Sequence, residues 1–562
     1  MGTISDKLMR IINTKEDIRQ ALISKGYDVP TSIPFKEYAK MILDLPCKVD
    51  SFPDIEGIVA RYSASGLTNE QMAANPVWVD KTGNGHDLQM KNFSWGGMSG
   101  VGGYGDENYQ TFYKFTLDDY VFIASPPGVK HMNFTFRVTG LQPGNKLTLA
   151  FFGTTNTVYG TWNKDGIYTV DADIVEAGKP TYFYNGYGAT RGEFTIEILP
   201  LYPGALVFDG VDDYGTCNNF PILTKEKGYT VVALRQWISM GEGLYGLVSN
   251  TKNWFNDGAF ILEYGSNNAT NKFVNRPVSF GKVNIEMDLP NNFTYQTSKS
   301  YKGIPITTGS FKGTNSLFVG KLNNIIGNCS NVAIWELVFL DHDATEEELT
   351  KIKDYFVKTY PWLFPDQAWT VVGKTNEDED RATIANITGN GNDLVLSNFG
   401  FIEGSGYNEE GEHAGYLVTD GVDDKVENSP FTLNKDWTIV GNWTMLSNIP
   451  SNCGIIKVSS MFLYNSLDGV TIYFAGGPIK IQSKSINAFC SDGRIYLNDW
   501  TEILKPDAQI ASGGSKSSLN IASHSANFTK MAFKNLAIYD GKNLSKDDCI
   551  KAYNYLQTLK SK

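Results

Sequence analysis

Three short phrases occur twice in the same order, and this internal duplication constrains the fold more than any other feature of the chain. Gly66-Leu67-Thr68-Asn69-Glu70, followed by Thr82-Gly83-Asn84-Gly85-His86-Asp87-Leu88 and Asn92-Phe93, returns as Gly373-Lys374-Thr375-Asn376-Glu377, Thr388-Gly389-Asn390-Gly391-Asn392-Asp393-Leu394 and Asn398-Phe399. Asp209-Gly210-Val211-Asp212-Asp213 returns as Asp420-Gly421-Val422-Asp423-Asp424, and Val332-Ala333-Ile334-Trp335-Glu336-Leu337 as Met531-Ala532-Phe533-Lys534-Asn535-Leu536. The chain therefore holds two copies of one architecture. The offset between copies is 306 at Thr82 and 211 at Asp209, so copy one carries 95 extra residues between these landmarks. They fall at about 104–200 and contain alternating stretches at 134–138, 146–149, 167–170 and 194–198, with a Gly140-Leu141-Gln142-Pro143-Gly144 turn signal. This reads as a small β-sandwich inserted into a surface loop, where chain insertion costs least.

Composition agrees with β structure. Aromatic residues make up 13% and there are 55 glycines; rings favour pleated, half-buried surfaces, and glycine supplies the turns between short strands. The net charge of −12 is spread without long runs, which disfavours nucleic acid and anionic lipid as partners. The six cysteines (Cys47, Cys217, Cys329, Cys453, Cys490, Cys549) show no CxxC spacing and read as free, mostly buried thiols. No stretch reaches the roughly 18 consecutive apolar residues of a membrane helix, so no membrane insertion is expected, and the start lacks the apolar core of a secretory signal.

The first 50 residues have a different pattern. Ile4, Leu8, Ile11 and Ile12, then Ile18 and Leu22, recur at helical spacing; a second short stretch through Phe35, Tyr38, Ile42 and Leu45 stops at Pro46. Two short amphipathic helices need a partner surface, supplied by other copies of the chain, by another protein or by the chain's own β-domain.

The Thr-Gly-Asn-Gly…Asp-Leu turn, the Asp-Gly-Val-Asp-Asp strand entrance and a late strand followed by an acidic helix start together resemble the laminin-G-like, concanavalin-A-like lectin fold. The helix starts are Thr345-Glu346-Glu347-Glu348 and Ser545-Lys546-Asp547-Asp548. The resemblance implies a mainly β chain of tandem concanavalin-A-like jelly-roll sandwiches. The expected domains are a helical docking or oligomerisation segment at 1–50, a first sandwich at 55–103 and 201–363, an inserted β-sandwich at 104–200 and a second sandwich at 366–562. The stretch from Asn13 to Leu22, then Gly26 to Pro34-Phe35, is similar to the N-terminal segments of virion appendage proteins of tailed phages, closest to those of phages infecting gut Bacteroidales. That likeness implies a head-fibre or tail-fibre component, assembled in the host cytoplasm and resident in the virion. Residues 1–50 would join copies into a homo-oligomer or dock on other virion proteins, and the lectin-like modules would meet host or mucosal glycans. The alternative is a glycan-degrading hydrolase of the lectin-like fold.

Three kinds of chemistry bear on a fold of this type. Glucanases of this fold need alternate acids that place two carboxylates on one strand face; Glu286 and Asp288 supply two, but Pro290, Asn291 and Asn292 follow and no third acid does, so no catalytic residue is assigned. Asp209, Asp212, Asp213, Asp420, Asp423 and Asp424 offer oxygen ligands of the kind calcium takes, set against the simpler reading that an Asp-Gly strand entrance is a turn whose acids bond local amides. No other cofactor is expected. For sugar stacking, Trp95, Tyr104, Tyr109 and Tyr113 lie near the insertion boundary, and Trp162, Tyr182, Tyr184 and Tyr187 within the insertion form the preferred ligand face. No GxSxG elbow or phosphate-cradling GK[ST] loop occurs.

Overall fold

The computed structural model divides the chain into two compact units, Met1–Asp54 and Ile55–Lys562. The described residues are Lys15 and 52–561, apart from 105–111, 116–119, 124–130, 142–145, 152–156, 174–180, 186–193, 240–243, 253–259, 267–291, 306–312, 324–327, 410–412, 447–452, 459–460, 467–468, 475–476, 482–485, 505–515, 518, 522 and 525–526. The helical segment expected over 1–50 thus lies outside the described residues, save Lys15, which is helical.

The second unit is mainly β and its strand pairs are antiparallel. Its sheets follow the duplication. In copy one the long strands Thr230–Ser239 and Asn331–Leu340 pair at the centre of an eight-stranded sheet, and Leu88–Lys91, Tyr214–Cys217 and Leu317–Val319 belong to a facing six-stranded sheet. In copy two Trp437–Met445 and Met531–Asp540 hold the same central place, facing a sheet that contains Leu394–Ser397 and Lys425–Glu427. Alternate residues point inward, as a two-sided sandwich requires: Phe208, Val231, Ala233, Leu337 and Phe339 fill one core, and Leu417, Ile439, Leu536 and Ile538 the other. The central strands share even their irregularity, a bulge at Leu234/Arg235 in one copy and at Asn442/Trp443 in the other.

Between Gly100–Val101 and Leu206–Asp209 the chain builds a third sandwich of two four-stranded sheets, one containing His131–Thr139, Gly166–Asp173 and Phe194–Ile198, the other Tyr120–Ile123, Leu147–Phe151, Thr157–Trp162 and Thr181–Asn185. Its core is Phe134, Phe136, Leu147, Leu149, Phe183 and Ile196. The chain leaves and re-enters copy one through a hydrogen-bonded neck. Gly102 N–H donates to Ala205 O and Tyr202 N–H to Gly102 O, both at 2.8 Å, and Leu201 N–H donates to Gly103 O at 2.8 Å.

Helices are few. Helix α1 (Asn69–Ala74) is one short turn; α2 (Glu346–Thr359) and α3 (Lys546–Gln557) close the two copies. Thr345 and Glu348 form a reciprocal capping box on α2, and Ser545 caps α3 by accepting from the Asp548 amide. Helix α3 presents Cys549, Ile550, Ala552, Tyr553, Tyr555 and Leu556 to its surroundings as buried residues. It touches the first sandwich, the neck of the insertion and its own sandwich: Asn292 Nδ2 donates to Tyr555 Oη at 3.0 Å, Asn554 Nδ2 to Pro200 O at 3.2 Å, and the Tyr553 ring meets Trp500 edge-on. Cys217, Cys329, Cys490 and Cys549 are free and buried, and no helix among the described residues is long and apolar enough to cross a membrane.

Candidate functional site

The paired Asp-Gly-Val-Asp-Asp segments end a strand in a turn that points its first carboxylate back at its own backbone. Asp209 Oδ1 accepts from Val211 N–H at 2.7 Å and Asp212 N–H at 3.4 Å, while Asp213 accepts from Asp209 N–H at 3.1 Å. Asp420 and Asp424 repeat each bond, at 2.7, 3.4 and 2.7 Å, and Ser405 Oγ donates to Asp424 at 3.1 Å. In each triplet one carboxylate oxygen per residue lies within 4.8 Å of the others, close enough to surround a cation. The hydrogen bonds nonetheless employ two of the three acids in holding the turn. Burial, and the neighbouring acids of each turn, push the Asp213 carboxyl up to about 7 and Asp424 to about 6. The geometry serves turn-locking better than calcium.

The other shared phrases have the same use. Asn69 Oδ1 accepts from Val101 N–H at 2.7 Å and its amide donates to Val101 O at 3.3 Å; Asn376 clamps Tyr407 N–H and O in the same way, both at 2.8 Å. Gly100, at φ +147°, lies where an added Cβ would come 2.5 Å from Asn69 Oδ1, so the clamp requires glycine. Asn92 and Asn398 each donate from Nδ2, at 3.0 Å, to the carbonyl of Asp212 or Asp423. In the glycine-rich turns Asp80 and Asn386 each accept from the amide and hydroxyl of the threonine two places on.

The aromatic candidates separate. Trp162 pairs with Leu147 on the inward side of its strand, and its ring packs on Phe136 at 4.9 Å, Tyr168 at 5.6 Å and Phe183 at 6.2 Å. It covers the core of the inserted sandwich and is not part of an outer ligand face. Tyr182 and Tyr184 flank the buried Phe183 and share the opposite, outer face, both half-buried; Tyr187 lies outside the described residues. Trp95 stacks on Phe93 at 4.7 Å, half-buried against the first core. Tyr109 is outside the described residues, as are Glu286, Asp288 and Pro290, the incomplete acid strand.

Tyr104 stands at a different kind of place. It opens the insertion and lines a cleft of about 250 Å³ with Leu67, Thr68, Asn69, Glu70, Val101, Glu197 and Ile198. Three segments distant in sequence meet here: the α1 start, the outgoing neck and the last strand of the insertion. Burial pushes the Tyr104 hydroxyl up to about 12, with the charges of Glu197 and then Glu70 adding to the shift. Glu197 is paired with Arg137 at 2.6 Å. The aromatic content near the insertion boundary pointed to Tyr104, but no local signal marks Glu70 or Glu197.

No family model and no curated protein matches the sequence. Among solved structures the chain is similar to Trypanosoma rangeli sialidase, at 9% identity and a TM-score of 0.26 over 73% of this chain and 66% of that one. It is similar to the binding domain of botulinum neurotoxin serotype D, at 11% identity and a TM-score of 0.24 over 61% and 88%. An arabinofuranosidase complexed with arabinofuranosyl-alpha-1,2-xylobiose matches at 14% identity and a TM-score of 0.21, over 31% and 50%.

Proposed function

We infer that this chain is a display protein without catalytic function: a head-fibre or tail-fibre component of a tailed-phage virion that docks or self-associates through residues 1–50 and offers its β-modules to host or mucosal glycans. The observation that supports it best is what the duplication preserves. The acids, asparagines and glycines common to both copies are spent on hydrogen bonds that lock turns, so the repeated unit is a frame. What differs between the copies is the insertion, which adds the outward Tyr182 and Tyr184 and the Tyr104 cleft. A frame that carries a variable binding element suits weak contacts strengthened by many copies on one particle.

The test is retention of full-length protein on mucin and on purified bacterial capsular polysaccharides, with the glycans then sized and assayed for new reducing ends. Retention with glycan length unchanged is expected. Shortened glycan would establish the hydrolase alternative, and no retention on any surface would remove glycan binding from the reading.

A further inference from the structure

We propose that the cleft between the first sandwich and the neck of the insertion is a subsite for one neutral pyranose ring, faced by Tyr104 and hydrogen-bonded by Glu70 and Glu197. The proposal rests on the glycan-binding reading and names its site and ligand class. At about 250 Å³ the space is smaller than the roughly 300–1,000 Å³ of sites for drug-sized ligands, which fits a single ring better than an oligosaccharide. Junctions between modules are where such sites tend to form.

The lining chemistry selects among sugars. Tyr104 packs part of its ring against the core of the insertion, and the remainder of the side chain lines the cleft, an amphipathic surface for a pyranose edge. Two carboxylates are acceptors, which suits the donor-rich vicinal hydroxyls of a neutral sugar. Two acids against the single Arg137 leave the cleft negative, which repels sialate and uronate carboxylates. Arg137 also orients Glu197, at 2.6 Å.

The walls are set before any ligand arrives. Asn69 clamps Val101 on both backbone groups, and the neck is tied by three hydrogen bonds of 2.8 Å, so little ordering is left to oppose binding. Copy two has no insertion, hence no counterpart of Glu197, and the cleft belongs to copy one alone.

Saturation-transfer NMR on full-length protein tests this with the methyl glycosides of glucose, galactose, mannose and N-acetylglucosamine, and with N-acetylneuraminic acid as the anionic control. Transfer to at least one neutral glycoside and none to the acid is expected. Glu70→Lys, at an exposed position, should weaken binding at least tenfold with an unchanged melting temperature. Tyr104→Phe, which keeps the ring, should weaken it less. Native-strength binding by both Glu70→Lys and Tyr104→Phe would overturn the cleft assignment and leave glycan binding standing, as would polysaccharide retention without transfer to any monosaccharide. Preferred transfer to the anionic sugar would overturn the ligand class. Neither monosaccharide transfer nor polysaccharide retention would overturn the cleft and the glycan reading together.

Discussion

Glu263 and Asp213 are both buried acids of the first sandwich, and they have opposite consequences for stability. Glu263 accepts from Arg235 Nε at 2.6 Å and from Arg235 Nη2, from Trp237 Nε1 at 2.9 Å and from Tyr301 Oη at 2.8 Å. Burial alone would raise its carboxyl, but the Arg235 charge and hydrogen bonds outweigh this and hold it at about 2. Its contribution is present above its ordinary value of 4.5 and is lost as pH falls through about 2. Asp213 works the other way. Raised from 3.8 to about 7, it contributes fully below its ordinary value and loses that contribution as pH rises through about 7. Urea midpoints measured across that window should fall with pH in the native chain and fall less in Asp213→Asn. Arg235→Met would strand the buried Glu263 charge and should cost about 3–5 kcal/mol in the same assay. Copy two shows the apolar alternative: Trp443 follows the matching bulge, and it opposes Phe533 where Arg235 opposes Ile334.

At the scale of elements, helix α3 binds the second copy to the first sandwich and the neck. Beyond Tyr555 and Asn554, the Thr558 hydroxyl just past its end accepts from Gln236 Nε2 at 2.9 Å, and Lys551 lies 4.4 Å over the Trp362 ring. Loss of its cap should therefore be felt beyond one sandwich. Ser545→Ala should cost about 1 kcal/mol, and hydrogen exchange should show weakened protection in copy two and at the Asn292 contact together. Thr345→Ala on α2 should cost a similar amount with the effect confined to copy one. Both helix starts were legible in the sequence because a cap and its first-turn acids are local signals. The strands of the insertion were legible for the same reason: alternation read at 194–198 coincides with Phe194–Ile198. The side on which Trp162 lies was not. A bulge at Leu149/Ala150 interrupts the alternation of its strand, leaving Val158 and Thr161 outward and Trp162 inward.

For the whole molecule, two frames and an insertion are legible in the duplication because repeated turns carry their own residues. The cleft was hidden because Glu70, Tyr104 and Glu197 meet only once the neck closes. The Arg235–Glu263 pair was hidden because it spans two facing sheets. The repeated aspartates show how a metal-like spacing arises from turn chemistry, and calcium added to chelator-treated protein should leave its melting temperature unchanged. The central claim, that many copies act together on one particle, is tested most directly by mass photometry of the full chain beside a form beginning at Ile55. A defined oligomer for the full chain and a monomer for the shorter form are expected. Monomers for both would contradict self-association through residues 1–50 and leave docking on another virion protein as the one route to multivalent display.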